Sequence, residues 1–233
     1  MTSPGKTYSF TDGELLLIDK PAEWTSFDVV NKIRWAISRK TGIKKIKVGH
    51  AGTLDPLATG LLILCTGKFT KKINELQLLE KEYTGTFYLG ATTPSFDGET
   101  AVDHVYPTEH IHKESILEAS RQLTGEIEQV PPAYSAIKVA GTRAYQMARK
   151  NDEVKLKPRK ISIAEFEISR IGLPEIDFRV SCSKGTYIRA LARDFGQALQ
   201  SGAYLFSLRR TRIGKFHVTD ALTIEQFLES LDR

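Results

Sequence analysis

The chain has 233 residues, of which 41% are hydrophobic and 26% charged, with a formal net charge of +5. This length and balance fit one large globular domain, or one domain with an insertion, and exclude a disordered or fibrous chain. The longest apolar run, Gly60 to Cys65, is far too short to cross a bilayer, and the polar start from Met1 to Phe10 lacks the apolar core of a signal peptide. The two cysteines, Cys65 and Cys182, stand far apart without CxxC or HxxxH spacing, which argues against a disulfide framework and a zinc site. A reducing cytoplasm is the expected setting.

In chain order, Glu14 to Asp19 reads as a short buried strand ending at Lys20-Pro21. Ser26 is expected to cap a helix whose apolar positions, Val29, Val30, Ile33, Ala36 and Ile37, recur at helical spacing. The basic stretch after Ser38 holds Thr41-Gly42 and reads as a loop leading into the dense segment Gly49 to Gly67. Ile73, Leu76 and Leu79 predict a helix, and Tyr83, Gly85, Phe87 and Leu89 alternate as one face of a strand. Thr92 to Glu99 reads as loop, and Ser115 to Leu123 as a helix stopped by Gly125. Gln129 to Lys160 holds three prolines and much positive charge; it reads as an irregular insertion with a short helix near Ala144 to Arg149. Ile176, Phe178, Val180 and Cys182 alternate as a strand, and Ile188, Leu191, Ala192, Phe195 and Leu199 mark an amphipathic helix. A last helix begins at Thr223, with Gln226 placed to complete a capping box. Strands and helices mixed without a βαβ rhythm imply an α+β fold. With no repeat, low-complexity tract or linker, residues 1–233 read as one catalytic domain.

Positive charge is clustered. Arg39, Lys40, Lys44, Lys45 and Lys47 form one group, Lys155, Lys157, Arg159 and Lys160 a second, and Arg209, Arg210, Arg212 and Lys215 a third. Cations set between apolar elements suit contact with a phosphate backbone, although each group is also what a solvated loop looks like.

The segment Gly49-His50-Ala51-Gly52-Thr53-Leu54-Asp55-Pro56-Leu57-Ala58-Thr59-Gly60 combines three glycines, a histidine, a carboxylate and a proline. Such a loop can present one side chain into a cleft. It is not a phosphate loop, because Gly60 and Gly67 are too far apart and Lys68 is followed by Phe69. Alone, Asp55-Pro56 would read as an N-cap followed by proline at the first helical position. The wider pattern points elsewhere. GHAGTLDPLATGLL resembles the catalytic motif of the TruB family of pseudouridine synthases. Lys81-Glu82-Tyr83 is similar to that family's tyrosine motif, and Cys182 to Arg189 (CSKGTYIR) to its arginine motif. Gln129 to Lys138 (QVPPAYSAIK) resembles a further block, and Leu205 to Arg210 (LFSLRR) the leucine-bearing segment that closes the uridine pocket. The five blocks occur in the family's order.

The resemblance implies the pseudouridine synthase fold: a central, largely antiparallel mixed sheet flanked by helices, with an RNA-gripping insertion at about 129–160. It implies isomerisation of uridine 55 (tRNA numbering) in the T-loop of tRNA on a flipped-out base, without metal or organic cofactor. Asp55 would be the nucleophile or general base; attack at C1′, attack at C6 and removal of the C2′ proton are each open to a carboxylate there. Arg189, whose ordinary role at the start of a helix is an exposed cation, would instead keep Asp55 ionised. Tyr83, otherwise a core aromatic, would stack on the base and take the C5 proton. Tyr187 would support the pocket, Leu208 pack against the uracil, His50 fill the space left by the turned-out base, and Lys20 lie near the active site. The partner implied is the T-arm of tRNA, with no obligatory protein partner and no membrane. Ending at Arg233, the sequence is expected to lack the full C-terminal PUA RNA-binding domain of many members. Two rivals stand beside this reading: a guide-RNA-dependent relative, and a non-catalytic RNA-binding or tRNA-folding protein.

Overall fold

The computed structural model describes residues 8–139, 141–150, 154 and 156–232. In chain order the elements are β1 (Leu15–Lys20), α1 (Ser26–Thr41), β2 (Val48–His50), β3 (Thr59–Thr66), a 3-10 turn (Gly67–Lys72), α2 (Ile73–Leu78), β4 (Lys81–Leu89), β5 (Ala91–Thr92) and β6 (His104–Val105). There follow α3 (Lys113–Gln122), β7 (Gly125–Gln129), β8 (Lys138–Val139), β9 (Thr142–Arg143), α4 (Ala144–Ala148), β10 (Arg159–Gly172) and β11 (Glu175–Cys182). The chain closes with α5 (Ile188–Ala198), β12 (Ala203–Ile213), β13 (Phe216–His217), a 3-10 turn (Val218–Asp220) and α6 (Ile224–Asp232). Among the described residues nine strands form one mixed, mostly antiparallel sheet in the order β1-β3-β12-β4-β11-β10-β7, with β2 on β3 and β13 on β12. Two compact units are present, Met1–Tyr83 with Leu208–Arg233, and Thr84–Ser207; the chain passes from one to the other within β4 and within β12.

In the first unit β3 is the axis. It pairs antiparallel with β1 from Leu15↔Cys65 to Lys20↔Gly60, antiparallel with β2, and parallel with β12 at Arg209↔Thr59 and Arg210↔Gly60. From Gly60 to Thr66 it is buried throughout, which is why it reads as an unbroken apolar run rather than an alternating one. On one side Leu62 and Leu64 join Ile18, Val29, Val30, Ile33, Ile37, Ile224 and Phe227 of β1, α1 and α6. On the other, Leu61, Ile63 and Cys65 join Ala51 and Ile213, against Phe69, Ile73 and Leu76. Gly60 makes the β3–β12 approach possible: at φ +102° a Cβ there would lie 2.3 Å from the Arg210 carbonyl oxygen.

The cap of α1 is Thr25 rather than Ser26. The Thr25 hydroxyl accepts from the Asp28 N–H at 3.0 Å, and the Asp28 carboxylate accepts from the Thr25 N–H at 2.9 Å, a reciprocal pair. Ser26 lies one residue inside because its hydroxyl serves the loop before β3, accepting from Leu54 N–H at 2.8 Å and donating to Leu54 O at 3.1 Å. At the other end of the chain Thr223 and Gln226 form the expected box, at 3.0 and 3.2 Å.

In the second unit β11 and β7 flank β10, both antiparallel. Phe87, Phe166, Phe178 and Phe195 form its aromatic centre, with Phe87 and Phe178 stacked at 4.1 Å. Gln129 and Arg159 are direct partners across β7 and β10, so the segment between them leaves and returns at one point of the sheet. It carries the β8–β9 hairpin and α4, close to the expected helix; residues 140, 151–153 and 155 lie outside the described residues.

Candidate active site

Asp55 sits in the loop between β2 and β3, and the first unit holds that loop by buried cations. Lys20, at the end of β1, is fully buried and donates to Pro21 O at 2.8 Å, Trp24 O at 2.6 Å and Pro56 O at 3.1 Å. Burial pulls its ammonium from the ordinary 10.5 to about 8; the Asp55 carboxylate works against that shift and Arg210 adds to it. Arg210, on β12, is 1% exposed and donates to Leu61 O at 2.7 Å, Gly52 O at 3.1 Å and Thr53 O at 3.4 Å. The loop is further tied by Ala51 N–H to Ile63 O, Ala58 N–H to Asp55 O, and Glu23 N–H to Pro56 O.

His50 is the last residue of β2. Burial pushes its imidazole below the usual value, Arg210 adds to that, and a backbone contact with Gly52 opposes it, so the ring is neutral at physiological pH. Its Nδ1 is buried without a hydrogen-bond partner among the described residues. Tyr83 is buried on β4, on the face shared with Phe87 and Leu89. Leu208 is half-buried, its carbonyl accepting from the Thr59 hydroxyl at 3.4 Å.

The second unit contains the arginine motif. Arg189 is not an exposed cation: it is 4% exposed, and donates to Ser95 O at 3.1 Å and Tyr134 O at 2.9 Å. Asp97, 5% exposed, lies 3.5 Å from its Nε. Asp97 is in turn held by the Ser95 hydroxyl at 2.6 Å and the Glu99 N–H at 3.0 Å. Tyr187 precedes α5. Fully buried Gln129 accepts from its N–H at 2.9 Å and donates to its carbonyl at 3.2 Å, while Arg159 stacks over its ring at 4.6 Å. The block from Gln129 to Lys138 is therefore a brace for Tyr187 and Arg189.

Ser95 and Asp97 hold Arg189, yet in sequence they look like plain loop. A signal was there: Thr93, Ser95, Asp97 and Gly98 place an acid among short polar side chains, a pattern that builds self-bonded turns. Phe96, between them, has φ +63°, a conformation an aromatic residue adopts only when its surroundings impose it.

The basic clusters separate. Lys44, Lys45 and Lys47 are exposed, as are Arg39 and Lys40. Lys157 and Lys160 are exposed and Arg159 half-buried, while Lys155 lies outside the described residues. In the third cluster Arg210 is buried, while Arg209 and Arg212 are half-buried and paired with acids. Arg210 is taken up by carbonyls, Arg209 pairs with both oxygens of Asp19 at 2.6 and 3.1 Å, and Arg212 with Glu80 at 2.8 Å. Only Lys215 of that group is exposed. Among the described residues no group of three or more His, Cys, Asp or Glu is placed to hold a metal ion, and no helix is long and apolar enough to cross a membrane.

The mixed, mostly antiparallel sheet flanked by helices is the fold of a pseudouridine synthase, the class whose family models match this chain. The family model for TruB family pseudouridylate synthases (N-terminal domain) matches residues 39–188, and that for the tRNA pseudouridylate synthase B C-terminal domain matches residues 189–232. A tRNA pseudouridine synthase B of Flavobacterium johnsoniae is 59% identical over 223 residues, covering 95% of this chain and 97% of its own. That of Phocaeicola vulgatus is 59% identical over 225 residues, covering 97% and 96%. Among solved structures, a chain in the crystal structure of a Cbf5-Nop10-Gar1 complex matches with a TM-score of 0.69 and 26% identity, over 94% of this chain and 54% of that one. The chain belongs to the TruB family of pseudouridylate synthases.

Proposed function

We propose that this enzyme isomerises uridine 55 in the T-loop of tRNA, in the cytoplasm, without a guide RNA or a protein partner. The observation that carries the chemistry is the anchoring of the Asp55 loop by two fully buried cations, Lys20 and Arg210. A loop that merely capped a helix would need neither. Support for tRNA as the substrate comes from relatives named tRNA pseudouridine synthase B, matched over nearly their whole length. The same likeness weighs against the guide-dependent and non-catalytic rivals.

In this reading Asp55 opens the reaction on a uridine drawn out of its stack, the N-glycosidic bond breaks, the uracil turns, and C5 joins the ribose. Tyr83 stacks on the base and Leu208 packs against it. Neutral His50, with a buried nitrogen to spare, fills the position the base has left. The part given to Arg189, keeping Asp55 ionised, rests on the family motif; that given to Tyr187 rests on the motif and on its bracing by Gln129. Lys20 acts by holding Pro56 and by its charge near Asp55.

The test is Asp55→Asn, which keeps shape and removes the nucleophilic oxygen. Purified protein, incubated alone with unmodified tRNA, should form pseudouridine, and the folded variant should fall to background while still binding tRNA, since affinity comes mainly from phosphate contacts. Turnover by folded Asp55→Asn protein would sink the mechanism. A wild type that needs an added RNA or protein would sink the stand-alone reading.

A further inference from the structure

We propose that Arg210 is a positioning residue for the isomerisation: its guanidinium fixes the backbone ahead of Asp55, so that the carboxylate meets the uridine in one geometry. The inference rests on Asp55 as the nucleophile. A guanidinium taken wholly out of water carries a heavy desolvation cost, and an apolar side chain of similar volume usually packs such a site as well or better. Yet Arg210 is 1% exposed, and its hydrogen-bond acceptors among the described residues are three carbonyl oxygens rather than a carboxylate. A cation kept buried on carbonyls alone points to a role beyond packing.

The acceptors show what that role is. Leu61 O belongs to β3, a strand buried over nearly its full length, whereas Gly52 O and Thr53 O belong to the irregular loop three and two residues before Asp55. One planar, rigid group therefore joins a fixed strand to the loop and sets the angle between them, as a single flexible ammonium would not. On the far side of Asp55, Lys20 holds Pro56 O. The nucleophile is thus tethered before and after by two side chains from different strands. Gly60 belongs to the same device, because the missing Cβ lets β12 lie close enough on β3 for Arg210 to reach under the loop.

The experiment compares wild type, Arg210→Gln, Arg210→Lys and Asp55→Asn with one unmodified tRNA. It reads single-turnover pseudouridine formation at saturating enzyme, tRNA affinity, and a melting curve to normalise rates to folded protein. A loop set an ångström away from its productive position costs on the order of 100-fold in rate. That loss is expected for Arg210→Gln, with tRNA affinity within about twofold of wild type. Arg210→Lys keeps the charge but not the fork, and should still lose about tenfold or more; it decides the matter if Arg210→Gln does not fold. Folded Arg210 variants with wild-type rates would overturn the inference, as would a loss confined to affinity. Turnover by Asp55→Asn would instead overturn the reading of Asp55, whatever the Arg210 variants do.

Discussion

Replacing Lys20 by Met separates what the buried ammonium does for the fold from what it does for the loop. Lys20 is fully buried and its pKa is lowered from 10.5 to about 8, so the unfolded chain binds more protons than the folded one between those values. Stability therefore rises with pH across that window, and the burden of keeping the ammonium charged inside the protein lies below pH 8. A shift of this size corresponds to about 3 kcal/mol, of which roughly 2 kcal/mol should be recovered between pH 7 and pH 9.5. Met fills a similar volume and does not titrate. The difference in unfolding free energy between wild type and Lys20→Met, from urea titrations at the two pH values, should thus move by roughly 2 kcal/mol in favour of wild type as pH rises. Activity should run the other way. Above about pH 8 the neutral amine has two N–H groups for three carbonyls and no charge beside Asp55, so the wild-type rate should fall while its stability climbs. Lys20→Met should start roughly ten- to hundredfold slower and show no inflection near pH 8. Parallel stability curves for the two proteins, or a full-rate Lys20→Met enzyme, would refute the reasoning.

Charge reversal of Lys44, Lys45 and Lys47 to Glu should weaken tRNA binding and flatten its salt dependence, by about one unit of log–log slope for each phosphate no longer neutralised; an unchanged slope would make the segment a solvated loop. Gly60→Ala should cost about 3 kcal/mol, roughly 10 °C in melting temperature, because its Cβ would meet the Arg210 carbonyl at 2.3 Å in a left-handed backbone conformation. Gly42→Ala, at φ +74° but with nothing within 4 Å of the Cβ, should cost only about 1 kcal/mol, so equal losses at the two sites would discount the clash at Gly60.

The elements legible in the sequence are those with one wet face or a local cap. Strand β11 alternates because one side is buried, α5 shows its apolar face, and the box at Thr223 needs only residues close in sequence. The sequence misleads where a residue's partner is far along the chain. Ser26 resembles a cap, yet its hydroxyl belongs to Leu54, 28 residues away, so the cap falls to Thr25. The 14-residue β10 passes unseen because it begins beside a proline-rich basic segment, bears charges on its exposed side, and has register shifts that break the alternation.

The same distinction governs the candidate site. Asp55, Tyr83 and Arg189 stand out by motif, but what holds the loop and the arginine is long-range. Arg210 reaches Gly52 across 158 positions, and Arg189 reaches Ser95 across 94. Charge clustering carries no information about depth, so Arg209, Arg210 and Arg212 look in sequence like Lys44, Lys45 and Lys47. The chain's return alongside β3 buries Arg210 and sets Arg209 and Arg212 beside acids. Asp19 and Glu80 then neutralise two of those arginines, and the loop carbonyls take the third. Side chains of a strand stand beside those of its neighbours on each face, so Arg209 and Arg212 meet Asp19 and Glu80 while Arg210 meets carbonyls. Lys44, Lys45 and Lys47, in the loop between α1 and β2, are exposed. On that ground the exposed lysines before β2 offer their charge to a phosphate backbone more openly than the acid- and carbonyl-paired arginines of β12.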